Sequence, residues 1–177
     1  MAHKYLKIEN NGSLQRDFLK DIGLTTKRDR IDDPGTIGKN GSGTKLSAPA
    51  AMRLDLDIVI TSTDDNGLYQ MSYDCEERQV GEAKARPMFY HFRRPEPLGG
   101  DEDAGRERSG MDREGFPDWD KPIGADGNKA FKILREYICN ARDEDLMFTV
   151  AVVTKPAYVP KGRTAVFIRL TDDIKAI

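Results

Sequence analysis

The stretch Leu134-Arg135-Glu136-Tyr137-Ile138-Cys139-Asn140-Ala141-Arg142-Asp143 decides how the rest of the chain is read. Ala130, Leu134, Tyr137, Ile138 and Ala141 recur at helical spacing and form one apolar stripe. Positions i, i+4 and i+7 project from one side of a helix, so Glu136, Asn140 and Asp143 align beside that stripe. A carboxylate and a carboxamide then stand one turn apart. The pattern has two readings. One is an amphipathic helix with a solvated polar side. In the other, Glu136 is a general base toward a water and the Asn140 oxygen completes a Mg2+ shell otherwise supplied by phosphates and water.

Upstream of this helix, the residues from Arg93 to about Asn128 are rich in Pro, Gly, Asp, Glu and Arg and poor in aliphatics. Such a segment buries too little apolar area to offset its ordering entropy, so 93–128 reads as a long exposed excursion. Phe116 and Trp119 are its candidate anchors; the alternative is a disordered linker with two incidental aromatics. Downstream, Phe148 to Val153 and Thr164 to Leu170 are β-branched and aromatic runs around a Pro-containing turn, which predicts a hairpin.

The N-terminal half alternates short strand-like runs with turn signals. Tyr5-Leu6-Lys7-Ile8 ends at Asn10-Asn11-Gly12, residues that tolerate positive φ. Leu14, Phe18, Leu19 and Ile22 have helical spacing closed by Gly23, and the polar stretch Thr25 to Thr36 reads as a mobile loop. A short helix through Ala51 and Met52 places Pro49 near its first turn. Leu56 to Thr61 and Leu68 to Tyr73 form a hairpin across Asp64-Asp65-Asn66-Gly67, and Pro87 to Phe92 is a further strand.

The second chemically suggestive segment is Ile37-Gly38-Lys39-Asn40-Gly41-Ser42-Gly43-Thr44-Lys45. Glycines so spaced leave backbone N–H groups able to point at an anion, and a helix starting just after them adds its positive end. Phosphate is the natural ligand, although a plain structural loop has the same composition. The Lys lacks the preceding Gly of a Walker A loop and the spacing fails.

Taken together, the two segments resemble the defining motifs of the GHKL ATPases, the family of DNA gyrase, heat-shock chaperones, histidine kinases and MutL. Glu136, Asn140, Ala141 and Asp143 look like that family's E-x-x-x-N-A-x-D motif. Ile37, Gly38, Gly41, Gly43 and Lys45 look like its I-G-x-x-G-x-G-x-K motif, with Thr44 inside it. Ile8-Glu9-Asn10-Asn11-Gly12 is similar to the D-x-G segment, and Thr25-Thr26-Lys27 resembles the MutL-type lid signal. The resemblance implies ATP and Mg2+ as cofactors, with Glu136 as catalytic base and Asn140 as metal ligand. Gly38, Gly41, Gly43, Thr44 and Lys45 become the phosphate cradle, Lys27 a phosphate contact, and Asn10 and Gly12 part of the base pocket. Asp143 joins the nucleotide-binding set as the last motif residue.

The motif order departs from the family, since the E-x-x-x-N helix comes last. This implies a circular permutation, which costs only a logarithmic closure term when a long linker, here 93–128, makes the new connection, and it sets the Phe148 to Leu170 hairpin beside the Tyr5 strand. A similar order in some bacteriophage proteins of unassigned function points to a viral origin. The implied fold class is α+β, a two-layer sandwich of Bergerat type: a mixed sheet with helices on one face, in one permuted domain over 1–177. The implied function is nucleotide binding with slow hydrolysis, driving lid closure or self-association into a homodimer. A second departure is Asn10 where the family has an Asp for the adenine amino group, with Glu9, Asp172 and Asp173 as alternative acceptors. The contrasting expectation is a non-catalytic interaction protein that keeps the fold and binds a host or viral protein partner.

Length and composition bound these readings. The 177 residues fit one domain with an insertion. Lys plus Arg total 28 against 30 Asp plus Glu, a net charge of −2, which gives no global case for nucleic acid or an anionic membrane. No apolar run approaches the roughly 20 residues needed to span a bilayer. Cys75, Cys139, His3 and His91 form no metal-ligand spacing, and two Cys are too few for a disulfide framework, so a reduced cytoplasmic setting, the host's if viral, is expected.

Overall fold

Alternation of apolar and polar residues along the strands builds one antiparallel sheet with two helices on a single face. A computed structural model describes residues 3–19, 43–95, 105–113 and 129–176. Its strands are β1 (Tyr5–Asn11), β2 (Ile58–Asp64), β3 (Gly67–Cys75), β4 (Arg78–Val80), β5 (Ala83–Ala85), β6 (Pro87–Arg93), β7 (Gly105–Asp112), β8 (Thr149–Val153) and β9 (Arg163–Arg169). The helices are α1 (Gly43–Arg53), α2 (Phe131–Glu144) and the short α3 (Asp172–Lys175), with a 3₁₀ turn at Arg16–Leu19. The main sheet runs β7-β6-β3-β2-β9-β1-β8, and β4 with β5 forms a separate exposed hairpin.

Every neighbouring pair in the main sheet is antiparallel, so the expected mixed sheet is corrected to an antiparallel one. The α+β class stands. Along β1, β2, β3 and β9 the residues Ile8, Ile58, Ile60, Tyr69, Met71 and Ile168 share the face that packs under Ala50 and Ala51 of α1 and Ile133, Leu134, Tyr137 and Ala141 of α2. The other face carries a smaller cluster, Val159, Ala165 and Phe167, where the β8–β9 connection folds over the sheet. No helix among the described residues is long and apolar enough to cross a membrane.

The β2–β3 hairpin turns tightly where expected: Gly67 has φ +111° and the Asn66 amide donates to Asp64 Oδ1 at 2.9 Å. Four other expectations are corrected. Phe148–Val153 and Thr164–Leu170 are strands but do not pair with each other, because β1 lies between them and pairs with both. The excursion at 93–128 contains β7, whose Ser109 and Met111 are buried, and Arg94, which is 9% exposed. Within it, a Cβ on Gly105 would sit 2.1 Å from Phe92 Cζ, so any larger residue there would have to displace the Phe92 ring. The helical spacing from Leu14 yields only the 3₁₀ turn, and its remainder, Lys20 to Gly23, lies outside the described residues.

Pro49 is the fourth. It falls at the seventh residue of α1 rather than in the first turn, so it has no N–H for the Lys45 carbonyl. An interior Pro costs a helix about 3 kcal/mol or more. Here the run Ser47-Ala48-Pro49-Ala50-Ala51 is buried throughout, and its small side chains let α1 pack against both α2 and the sheet. Tertiary packing offsets the local penalty.

Candidate functional site

Thr44 and Asn140 are far apart in sequence and meet at the junction of the two helices. Thr44 is the second residue of α1, directly after the last glycine of the Gly-rich segment. Asn140 lies late in α2, where the buried stripe of Ile133, Leu134, Tyr137 and Ala141 fixes which side faces the sheet. Asn140 Nδ2 donates to Thr44 Oγ1 at 2.7 Å and to Glu136 Oε1 at 3.3 Å. The expected alignment of Glu136 with Asn140 is therefore observed. Glu136, Asn140, Asp143 and Thr44 are each partly buried, neither sealed in the core nor wholly in solvent.

Beneath this contact lies a buried polar link between the helices. The Ser47 hydroxyl donates to the Thr44 carbonyl at 2.6 Å and lies 3.0 Å from the Tyr137 hydroxyl. Burial, with the nearby Glu136 charge, pushes the Tyr137 phenol well above its ordinary value, so it stays neutral. Lys45, the next motif residue, is only 3% exposed.

The end of β1 is tied to the same end of α2. Asp145 Oδ2 accepts from the Asn11 backbone N–H at 3.1 Å and from Asn11 Nδ2 at 2.8 Å, while Oδ1 accepts from the Met147 N–H at 2.9 Å. These donors, the Met147 amide foremost, hold the Asp145 carboxyl below the usual carboxylate range. Gly12 follows with φ +112°, a conformation that favours glycine. Asn10 Nδ2 donates to the Asn11 carbonyl at 2.6 Å.

A chain of buried hydroxyls anchors this turn from below. Thr164 Oγ1 donates to the Gly12 carbonyl at 2.8 Å, and Ser62 Oγ lies 2.7 Å from Thr164 Oγ1 and accepts from the Leu14 N–H at 2.8 Å. A hydroxyl has one proton, so with that of Thr164 on Gly12 it is Ser62 that donates to Thr164. Tyr69 closes the set by donating to the Leu14 carbonyl at 2.8 Å.

Sequence reasoning missed Asp145, Ser62 and Thr164. The signal for the last two is that each continues a core-facing alternation, Ile58-Ile60-Ser62 and Ile168-Val166-Thr164, with a small polar residue.

Of the alternative base acceptors, Glu9 is corrected. It is 6% exposed and ion-paired to Lys7 and Arg163, on the sheet face away from the helices. Burial resists its ionisation, but these two cations outweigh that and keep its carboxyl below its ordinary value. The Asp172 side chain is 99% exposed beside Lys175. The Asp173 side chain, Lys27, Gly38, Gly41, the Thr25–Thr36 loop, Phe116 and Trp119 lie outside the described residues, and Gly43 opens α1.

The donor set can be tested against Mg2+. Among the described residues there is no cluster of three or more His, Cys, Asp or Glu able to cage a metal. Mg2+ ordinarily needs no such cage: it keeps waters and takes one or two protein oxygens plus substrate phosphates. A carboxamide oxygen at Asn140 beside the Glu136 carboxylate suits that mode. No protein-family model, curated protein or solved structure matches this chain.

Proposed function

We propose that this chain is a Mg2+-dependent ATP-binding domain of the GHKL type, a permuted two-layer Bergerat-like sandwich whose sheet is antiparallel rather than mixed, with slow hydrolysis to ADP and phosphate. One observation carries the reading: the 2.7 Å hydrogen bond from Asn140 to Thr44 joins the E-x-x-x-N helix to the C-terminal end of the glycine-rich segment. Spacing along the sequence offers no reason for those two segments to meet. A nucleotide-binding site built from both motifs requires it.

In this reading the α1 N-terminus, with no acidic residue in its first turn, offers backbone N–H groups and a positive dipole end to phosphate oxygens. Asn140 would hold Mg2+, which when bound neutralises charge on the phosphates. Glu136 accepts the proton of a water as its oxygen attacks the terminal phosphorus and the bond to the ADP oxygen breaks. Catalysis then rests on positioning and electrostatics. The Gly12 turn, held by Asp145, Thr164 and Ser62, supplies a rigid edge for the base pocket, with Asn10 on the helix-facing side of β1.

A second reading, a non-catalytic interaction protein on the same fold, is favoured by Asn10, a neutral amide where the family resemblance expects a carboxylate; its Nδ2 donates to the Asn11 carbonyl. A thermal shift separates the two. With Mg2+-ATP at about 100 times its Kd the protein should gain about 2.7 kcal/mol, and EDTA should remove most of it. Stabilisation by ATP but not GTP would make Asn10 an adequate adenine acceptor. No shift with any nucleotide favours the interaction protein.

A further inference from the structure

The two edges of the main sheet are built differently. At one edge, β7 alternates charges at Arg106, Glu107 and Arg108, and its pairing with β6 shifts register between Pro87 and Phe89. Charges and bulges of this kind are how sheets prevent edge-to-edge association. At the other edge, β8 reads Thr149-Val150-Ala151-Val152-Val153, with no charge, no Pro and an uninterrupted register to β1. Among the described residues β8 has β1 as its one neighbour. Val150 and Val152 are 48% and 59% exposed, and Leu146 and Met147 in the preceding turn are both 81% exposed.

We propose that β8 is the interface with a second copy of this chain, the two β8 strands pairing antiparallel about a two-fold axis at Ala151. The sequence is self-complementary in that arrangement. Centring on Ala151 pairs all five residues, with Val150 opposite the partner's Val152 and Thr149 opposite the partner's Val153. Asp145, at the end of α2, precedes the strand and Lys155 follows it, so antiparallel pairing brings the acidic end of one copy's strand toward the basic end of the other's. A parallel pair would set acid against acid. The outward N–H and C=O groups of β8 are satisfied by the partner's, and the exposed valines extend the helix-facing surface of the sheet across the axis. This proposal stands on the edge strand alone and does not depend on nucleotide binding.

Sedimentation velocity on the full chain without nucleotide tests it across a micromolar concentration series. The native protein should show a concentration-dependent dimer, and Val152→Lys, an exposed site, should weaken it by more than about tenfold. Ala151→Cys reads the register separately: mild oxidation should link two copies through position 151, while the native chain with Cys75 and Cys139 stays unlinked. A native protein that remains monomeric throughout overturns the proposal, as does a dimer that survives Val152→Lys undiminished. If Val152→Lys fails to fold, the Ala151→Cys link decides alone, and its absence in a dimeric protein overturns the pairing.

Discussion

Replacing Glu136 with Gln should lower the rate of ATP hydrolysis by about 10²- to 10⁴-fold while leaving Mg2+-nucleotide binding nearly unchanged. Gln is the informative substitution because Glu136 Oε1 accepts a hydrogen bond from Asn140 at 3.3 Å, and a Gln oxygen can still accept it. What Gln loses is the ability to take a proton. Single-turnover hydrolysis and calorimetric binding, measured on the same preparation, separate the two roles. Normal turnover in Glu136→Gln would remove Glu136 from the chemistry, and lost binding would make it structural.

The second large effect concerns stability. Arg94 Nη2 donates to Asp64 Oδ2 at 2.8 Å, and both side chains are largely buried, 7% and 8% exposed. Arg94 Nη1 also donates to the Gly67 and Leu68 carbonyls at 3.2 and 3.3 Å, so one guanidinium clamps the β2–β3 turn. Removing one partner of a buried pair strands the other charge, and Arg94→Ala should cost about 3–5 kcal/mol. For a chain of this size that is a fall in Tm of about 6–20 °C. Arg94→Lys keeps the charge but loses the fork, and should fall between Ala and the native protein.

The same pair sets an acid limit. Burial works against ionisation of Asp64, yet Arg94 and the Asn66 amide more than compensate, and its carboxyl lies below the ordinary 3.8. Glu9 is likewise held below 4.5. A depressed carboxyl contributes stability fully present above its unfolded-state pKa and lost as pH falls through the folded value. Native Tm should therefore drop as pH is lowered below about 4.5, and Arg94→Ala should flatten Asp64's share of that drop. An unchanged acid profile in the variant would contradict the assignment.

How much of this was legible in the sequence depends on the range of the interaction involved. Glu136 and Asn140 lie four residues apart on one helix, so their alignment followed from helical geometry alone. The β2–β3 turn was equally local, encoded in Asn66-Gly67. Strand pairing was not local. Phe148–Val153 and Thr164–Leu170 have the composition of a hairpin, and the permuted order set that hairpin beside the Tyr5 strand, where both runs do pair with β1; nothing in either run announces that Tyr5–Asn11 inserts between them. β7 was missed because its neighbour contributes much of the apolar surface: the Arg106 guanidinium stacks 3.7 Å from the Phe89 ring centroid, so a charged strand covers an aromatic one. α1 begins before a proline because burial overrides helix propensity. In the site, the Thr44–Asn140 contact and the Ser62–Thr164–Gly12 chain are tertiary, and small hydroxyls on strands carry no periodic signature.

The most direct measurement is a crystal structure of the protein grown with Mg2+ and a non-hydrolysable ATP analogue. The account predicts the triphosphate against the start of α1 at Thr44, the metal within coordination distance of Asn140, and a water between Glu136 and the terminal phosphate. A nucleotide bound elsewhere, with the Thr44–Asn140 junction untouched, would contradict it.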